Sequence, residues 1–183
     1  FKDEIVPIEV KLRKETKVFD TDEHPNRKTN PEKLAGLRPA FKKDGSVTAG
    51  NASGINDGAS FVLLASEDAV AKYNLTPICE VIGIGQGGCD PLTMGLGPTP
   101  AIRNALNYAG IKLEEVDLVE LNEAFAAQSL GVIHELVEEH GIDREAFMAK
   151  TNVNGGAIAL GHPVGASGNR ILVSLIHEMK KSG

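Results

Sequence analysis

The glycine-rich stretch NVNGGAIALGHPVGASGNR, residues 152–170, carries the strongest fold signal in the chain. Two turns of small residues bracket His162, and a helical pattern follows from about Ser167 to Lys181. Glycine lets a backbone approach a ligand closely, and Pro163 keeps His162 extended. An imidazole titrates near neutral pH and can accept a proton from a thiol or hydroxyl. The residues alone leave two interpretations equally open: a catalytic histidine, or an anion-binding helix terminus with an incidental histidine.

Upstream of this stretch, strand and helix patterns alternate along the chain. Buried strands are predicted at residues 59–65, 78–84 and 116–121. Helices are predicted from Ser66 to Tyr73, from Thr99 to a Gly110 cap and from Glu123 to His140, with a turn near residues 143–148. Strands separated by helices of this length predict an α/β sheet whose faces are covered by helices.

Residues 1–54 carry a less regular pattern. Residues 5–12 and 17–19 alternate like the two strands of a hairpin, and Pro31 begins a short helix that Pro39 ends. We interpret this segment as an irregular excursion on a more regular body.

A second candidate site lies in VDLVELNEAFAAQ, residues 116–128, where a predicted strand meets a predicted helix. Asn122 is positioned there to cap the helix, which is the interpretation that the residues alone favour. The alternative is that its amide orients a water or donates to a developing oxyanion. The carboxyl end of a strand is where α/β folds collect ligands.

The stretch TAGNASGINDGA, residues 48–59, is also rich in small residues. It lacks the lysine of a phosphate-binding P-loop, and its glycine spacing differs from the dinucleotide fingerprint. Nucleotide hydrolysis and hydride transfer are therefore not implied. Two interpretations remain: a turn before a strand, or a flat backbone wall for a narrow ligand.

Composition and charge exclude several classes of function. The 183 residues are 42% hydrophobic and 24% charged, which is typical of a globular protein. The net charge of −6 disfavours a role on nucleic acid or on an anionic membrane. Residues 1–50 carry a net charge of +2 and residues 51–183 one of −8, so an anionic ligand is expected at the first segment.

The cysteines and histidines indicate neither a disulfide scaffold nor a metal site. Cys79 lies in a predicted strand, and Cys89 lies in a loop beside Asp90, which disfavours its thiolate. Two cysteines fit a reducing compartment, and we expect a cytoplasmic protein. The five histidines show no metal-ligand spacing with the cysteines, and no apolar run is long enough for a spanning helix.

Four motifs together resemble the C-terminal half of the thiolases, the family that makes or cleaves 3-ketoacyl-CoA. They are LRPAF at 37–41, TAGNASGINDGA at 48–59, NEAFAAQ at 122–128 and NVNGGAIALGHPVGASGNR at 152–170, in the family's order. The resemblance covers essentially the whole chain. It implies an α/β fold, the layered αβαβα fold of thiolases, of which the chain is one half plus part of the loop (cap) domain, without the final strands.

The resemblance also implies two domains and a set of site residues. Residues 1–54 are expected to be the tail of the CoA-binding cap domain, and residues 55–183 the C-terminal domain, truncated at its C-terminus. His162 resembles the histidine that activates the nucleophilic cysteine and lines the first oxyanion hole, and Asn122 the asparagine that holds the water of that hole. The expected wall against CoA consists of Ser53, Leu37, Phe41, Ala49, Ala52 and Gly54. Residues near the acyl end are expected to be Met94, Ala124 and Phe125.

The chain departs from the family pattern in its cysteines. Thiolases take the nucleophilic cysteine from the N-terminal half and an acid/base cysteine from a later glycine-rich motif, and neither motif occurs here. Cys79 and Cys89 match neither. The chain starts at Phe1 and stops just after a predicted helix, so we expect a piece of a longer protein that is inactive by itself.

For the full-length protein, the resemblance implies condensation of two acetyl-CoA to acetoacetyl-CoA and CoA, and the reverse. The alternatives are a degradative 3-ketoacyl-CoA thiolase of longer chains, a non-catalytic CoA-binding or assembly half, and a self-contained hydrolase built on Cys89 and His162. The CoA thioester is the substrate, and no cofactor or metal is implied. The expected partners are the missing N-terminal half and further copies in a homodimer or homotetramer, with neither nucleic acid nor membrane.

Overall fold

The computed structural model describes residues 1–183, and it begins with a two-stranded antiparallel hairpin. Strand β1 is Ile8–Lys11 and strand β2 is Thr16–Phe19, with Ile8 opposite Phe19 and Lys11 opposite Thr16. The predicted hairpin is confirmed, with slightly shorter strands.

Seven α-helices follow the hairpin. They are α1 Pro31–Ala35, α2 Glu67–Tyr73, α3 Pro98–Ala109, α4 Ala126–His140, α5 Arg144–Ala149, α6 Ala157–Leu160 and α7 Ser167–Ser182. Two 3-10 turns lie at Pro91–Leu96 and Leu113–Glu115. None of the helices is long and apolar enough to span a membrane.

Local capping signals account for most of the helix ends. The side chains of Asn30, Ser66 and Asp143 each accept a hydrogen bond from the backbone N–H three residues on, at 2.9, 3.2 and 2.7 Å. Helices α3 and α4 end at Gly110 and Gly141, whose φ angles of +70° and +62° favour glycine. The predicted ends of α2, α3 and α7 are confirmed to within a residue or two.

Two helical predictions need correction. Helix α4 begins at Ala126 rather than Glu123, because residues 122–125 form a loop that pairs with the segment before Ser53. The turn predicted near residues 143–148 is helix α5, which starts because the Asp143 carboxylate caps it.

The core lies where α3, α4 and α5 pack together. Its seven buried members are apolar side chains: Leu106, Leu113, Leu121, Val132, Ile133, Leu136 and Phe147. The apolar positions of α4 recur every three or four residues, so one face of this helix is buried in the cluster.

The three strands predicted from the sequence are not strands of a sheet within this chain. Residues 59–65 and 78–84 have no strand partner, and of residues 116–121 only Val119 pairs, in parallel, with Thr151. The side chains predicted to be buried are exposed: Phe61 by 90%, Leu63 by 86% and Ile84 by 72%. A parallel strand needs neighbours that are distant in sequence, and the 183 residues do not supply them here.

Two glycines set how closely the segment around residues 83–87 approaches helix α3. A Cβ on Gly83 would lie 2.8 Å from the carbonyl oxygen of Ala105, and one on Gly85 would overlap the carbonyl oxygen of Ala101. Because they are two residues apart, the two glycines can face the same side of an extended segment. Backbone therefore packs directly against backbone along α3.

We expect Gly85→Ala in the full-length protein to lower the free energy of unfolding by about 1–3 kcal/mol, since the added methyl must push α3 away. Gly88→Ala is the matched control, because a Cβ on Gly88 meets nothing within 4 Å. Chemical denaturation of both variants gives the comparison. Equal unfolding midpoints would contradict the close approach.

Candidate active site

Residues 55 and 56 hold the backbone of His162 on both sides. Gly161, with φ of +101°, turns the chain into this position, where a Cβ would lie 3.0 Å from the Asn56 amide. The backbone N–H of His162 donates to Asn56 Oδ1 at 2.9 Å, and Ile55 pairs with His162 in parallel. The imidazole is thus presented from a loop that the 48–59 stretch fixes in place.

The imidazole of His162 contacts the start of helix α7. Its Nδ1 lies 2.6 Å from Oγ of Ser167, which is the first residue of α7 and is 3% exposed. The same hydroxyl lies 3.1 Å from the carbonyl oxygen of Pro163. One ring nitrogen of the half-buried His162 is therefore engaged by the chain itself.

A second histidine extends this arrangement. Asn56 Nδ2 lies 3.2 Å from Nδ1 of His24, and His24 Nε2 lies 3.3 Å from the carbonyl oxygen of Ile158. The amide of Asn56 therefore bridges His24 of the N-terminal segment and the backbone of His162. Sequence reasoning missed His24, Asn56 and Ser167. The polar Asn56 within a run of small residues was the available signal.

Asn152 joins the loop that contains His162 to the loop that contains Asn122. Its side chain forms two 2.8 Å hydrogen bonds with the backbone of Leu121, accepting from the N–H and donating to the carbonyl. It also donates to Glu123 Oε1 at 2.9 Å. Both residues that flank Asn122 are therefore bound to the 152–162 loop.

Glu123 completes this connection. Its second carboxylate oxygen accepts from the N–H of Ile158 at 3.4 Å. A Cβ on Gly156 would overlap the Glu123 carboxylate, so a larger residue there would have to displace this carboxylate from the backbone.

Asn122 does not cap helix α4. The helix begins four residues later, its N-cap residue is Phe125, and no side chain caps it. The capping interpretation, which the residues alone favoured, is therefore wrong. Asn122 Oδ1 is buried without a hydrogen-bond partner in the chain. A buried amide oxygen without a partner is destabilising, so this atom is available to a group from outside the chain.

The segment of small residues 48–59 and the loop at residues 122–125, called the NEAF loop below, form one wall. Oγ and the N–H of Ser53 both donate to the carbonyl of Ala124, at 2.9 and 3.0 Å, and Ala52 pairs with Phe125 in antiparallel fashion. The ring of Phe41 meets the ring of Phe125 edge to face at 6.2 Å. The structure therefore brings three of the six predicted CoA-wall residues next to two of the predicted acyl-end residues.

Of the other members of the predicted site, three lie in or against the 48–59 segment and one lies on a separate 3-10 turn. Ala49 and Gly54 lie in the same segment, and Leu37 packs where a Cβ on Gly50 would lie. Met94 lies on the 3-10 turn Pro91–Leu96, with its side chain 77% exposed.

The two cysteines are free and exposed. The sulfur of Cys89 contacts the carbonyl oxygens of Thr93 and Met94, at 3.9 and 3.7 Å, and forms no hydrogen bond with His162. The contact that a self-contained Cys89/His162 hydrolase needs is therefore absent.

A cavity of about 630 Å³ lies between the 3-10 turn 91–96, α3 and α4. It contains an ion pair in which Arg103 binds both carboxylate oxygens of Glu139, at 2.6 and 2.7 Å. Neither His162 nor Asn122 lines this cavity, so it is separate from the candidate site.

The exposed basic side chains between residues 27 and 43 of the N-terminal segment include five that are in no ion pair. They are Arg27, Lys28, Arg38, Lys42 and Lys43. Their charges are free to interact with an anion.

A half-buried carboxyl group lies close to the NEAF loop. Burial raises the pKa of Glu120 from 4.5 to about 7. The positive charge of Arg170 opposes this rise, while the negative charges of Glu4, Glu123 and Glu178 add to it.

Two family models match the chain: the N-terminal domain of thiolase over residues 1–68 and the C-terminal domain of thiolase over residues 75–183. The chain belongs to the thiolase family. The expectation from the four motifs is confirmed. The two family models are separated by residues 69–74. The predicted division at residue 54 concerns the cap segment and stays a prediction.

Relatives of this chain carry the names 3-ketoacyl-CoA thiolase and acetyl-CoA acetyltransferase. The chain is 54% identical to human mitochondrial 3-ketoacyl-CoA thiolase over 183 residues, which is all of this chain and 44% of the relative. The crystal structure of Bacillus anthracis acetyl-CoA acetyltransferase superimposes with a TM-score of 0.91 at 52% identity, covering 99% of this chain and 44% of that one. The crystal structure of human mitochondrial 3-ketoacyl-CoA thiolase in complex with CoA superimposes with a TM-score of 0.78 at 47% identity, covering 96% of this chain and 42% of that one.

These comparisons confirm the predicted fold class, part of the thiolase α/β fold. The chain spans less than half the length of the relatives it matches. The unpaired segments 59–65 and 78–84 thus belong to a thiolase fold of which this chain is one part.

We expect Glu120→Gln to remove a pH dependence of stability. The folded state holds the Glu120 proton more tightly than the unfolded state, whose pKa is near 4.5, so the wild-type free energy of unfolding falls as pH rises from 4.5 towards 7. Because the group is half-exposed, the gain of the Gln variant over wild type between pH 5 and 8 is on the order of 1 kcal/mol. Denaturation at several pH values measures it.

The control is Glu138→Gln, which replaces an exposed carboxylate on α4. Parallel pH profiles for wild type and Glu120→Gln would contradict the raised pKa.

Proposed function

We propose that the full-length protein is a thiolase-type acyltransferase that condenses two acetyl-CoA to acetoacetyl-CoA and CoA, and catalyses the reverse. The observation that carries the proposal is the half-buried imidazole of His162, fixed through Nδ1 on a loop that is hydrogen-bonded to both neighbours of Asn122. An imidazole held through one nitrogen can exchange a proton through the other.

In the proposed reaction, Nε2 of His162 accepts the proton of a cysteine thiol from the part of the protein outside residues 1–183. The thiolate attacks the carbonyl carbon of acetyl-CoA, and the oxygen becomes an anion that the protonated His162 and a water on Asn122 stabilise. The carbon–sulfur bond to CoA then breaks, CoA leaves with the proton that His162 took from the cysteine, and the acetyl group remains on the cysteine. A second acetyl-CoA loses a Cα proton to a base outside this chain, and its carbanion attacks the acetyl carbonyl carbon. A carbon–carbon bond forms, the carbon–sulfur bond to the cysteine breaks, and acetoacetyl-CoA is released while the cysteine thiolate regains the proton from the base.

The CoA substrate is proposed to lie along the wall of small residues. Ser53, Leu37, Phe41, Ala49, Ala52 and Gly54 would contact the pantetheine and adenine, and Met94, Ala124 and Phe125 the acyl end. Support comes from the pairing of Ala52 with Phe125 and from the contact of Phe41 with Phe125. The solved human relative in complex with CoA supports the class of ligand.

The proposed partner of this chain is the N-terminal half of the same protein. The exposed apolar segments 59–65 and 78–84 support this, because unpaired strand edges and large apolar side chains favour burial. We further propose a homodimer or homotetramer, a cytoplasmic location and no cofactor. Sedimentation of the full-length protein, cell fractionation and activity after dialysis against a chelator test these points.

A second candidate function is a 3-ketoacyl-CoA thiolase that cleaves longer chains. It is supported by the 54% identity to the human relative of that name, but a bacterial acetyl-CoA acetyltransferase from Syntrophomonas wolfei is 55% identical, so sequence identity does not separate the two functions. Comparing kcat/KM for acetoacetyl-CoA and for a longer 3-ketoacyl-CoA in the full-length protein separates the two. A protein that acts on neither, with CoA still bound, would be a non-catalytic binding half.

We expect His162→Ala in the full-length protein to lower the turnover number for acetoacetyl-CoA cleavage by at least ~10²-fold, as for loss of a general base. Asn122→Ala is expected to lose less, since a water can remain, with the loss in turnover rather than in stability. Steady-state kinetics and thermal unfolding measure both. Wild-type kinetics for His162→Ala would remove this residue from the mechanism.

The five basic residues between Arg27 and Lys43 that were described above are expected to hold the nucleotide end of CoA. Exposed charges are screened over ~10 Å at 0.1 M salt, so the attraction is salt-sensitive. Replacing Arg27, Lys28, Arg38, Lys42 and Lys43 by Gln should raise the Michaelis constant for CoA substrates, with little change in turnover, and the effect should shrink as salt rises. An unchanged constant at low salt would mean that the nucleotide is anchored elsewhere.

The matched control replaces by Gln five basic residues that lie outside residues 27–43: Lys2, Lys11, Lys14, Lys180 and Lys181. It changes the net charge by the same amount. An equal rise in the Michaelis constant would indicate a non-specific charge effect.

A further inference from the structure

The buried hydroxyl of Ser167 contacts the imidazole of His162 and has one proton to donate. Its oxygen lies 2.6 Å from Nδ1 of His162 and 3.1 Å from the carbonyl oxygen of Pro163. A carbonyl oxygen can only accept, so in that contact the hydroxyl must be the donor. If the proton points to Pro163, the contact with His162 requires Nδ1–H as the donor and the Ser167 oxygen as the acceptor.

The two possible directions of this hydrogen bond differ in their chemical consequence. With Nδ1–H donating to Ser167, a neutral imidazole has its lone pair on Nε2 and can accept a proton there. With Ser167 donating to Nδ1, Nε2 carries the hydrogen and cannot accept one. The first direction also persists after His162 is protonated, because Nδ1–H is a donor in both states. The second would require the hydroxyl to rotate in every cycle.

The structure assigns to Ser167 the role of a positioning residue, whose oxygen accepts the Nδ1–H hydrogen bond of His162 and keeps Nε2 unprotonated for the reaction. This inference rests on the proposed function. Ser167 is at the first position of α7, and its backbone N–H donates to the carbonyl of Pro163 at 2.8 Å. The hydroxyl is therefore fixed on the rigid start of a helix, only five residues after His162.

Ser174 provides a matched control on the same helix. It is 4% exposed, close to the 3% of Ser167, and its hydroxyl also forms a hydrogen bond, to Glu4 at 2.8 Å. It has no hydrogen bond to His162. Ser174→Ala therefore removes a buried, bonded hydroxyl from α7 without changing the imidazole.

The kinetic test uses the full-length protein with acetoacetyl-CoA and CoA. Ser167→Ala is expected to lower kcat by about 10- to 100-fold with KM nearly unchanged, because only part of the imidazole population then has the reactive tautomer. Ser167→Thr, which keeps the hydroxyl, should restore most of the loss, and Ser174→Ala should stay within twofold of wild type. A kcat for Ser167→Ala within twofold of wild type overturns the proposal. So does a loss that Ser174→Ala reproduces, or one that a folded Ser167→Thr does not rescue.

The second measurement is the ¹⁵N spectrum of histidine-labelled wild-type protein, with the His162 signals assigned by their loss in His162→Gln. The expected result is hydrogen on Nδ1 and none on Nε2 for the neutral ring. Hydrogen on Nε2 in the neutral ring overturns the proposal even if Ser167→Ala fails to fold. If His162→Ala keeps its activity while the spectrum shows Nδ1–H, the proposed function fails and the assigned direction of the hydrogen bond stands.

Discussion

The side chain of Asn152 is the contact on which the site depends. The backbone of Asn152 has a φ of +50°. Its side chain forms hydrogen bonds with the N–H and the carbonyl of Leu121 and with the carboxylate of Glu123. One amide thus ties the 152–162 segment, which contains only the short helix α6, to the residues on either side of Asn122. Because the hydrogen-bonding groups are half-buried, each would lose stabilising energy if its partner were removed. The segments that carry Asn122 and His162 are therefore joined by the polar contacts of Asn152 and Glu123.

The N-terminal segment forms the other side of the site through similar contacts. Asn56 bridges His24 and the backbone of His162, and Ser53 binds the carbonyl of Ala124. The bonds of Asn56 to His162 and of Ser53 to Ala124 join parts of the chain more than 70 residues apart. They hold the wall of small residues against the NEAF loop, even though only 14 of the 183 residues are buried.

The sequence predicted the features that depend on near neighbours and missed those that depend on distant ones. The cap at Ser66 and the glycine ends of α3 and α4 were predictable, since each is decided within a few residues. The strand at residues 59–65 was predicted from apolar side chains, which are exposed here because no other segment of the chain pairs with it. Asn122 looked like a cap because residues 123–125 have helical character, but long-range pairing with residues 51–53 holds them in a loop. The motifs located His162 and Asn122, whereas the contacts of Asn56, Asn152 and Ser167 required the folded chain.

The central claim is that His162 presents a free ring nitrogen to a cysteine from the rest of the protein. An experimental structure of the full-length protein measures this directly, as the distance from His162 Nε2 to the nearest cysteine sulfur. The account predicts a sulfur from outside residues 1–183 within roughly 3–4 Å of Nε2, while Nδ1 stays on Ser167. If Nε2 faced a different side chain and every cysteine sulfur lay well beyond hydrogen-bond reach, the account would be contradicted.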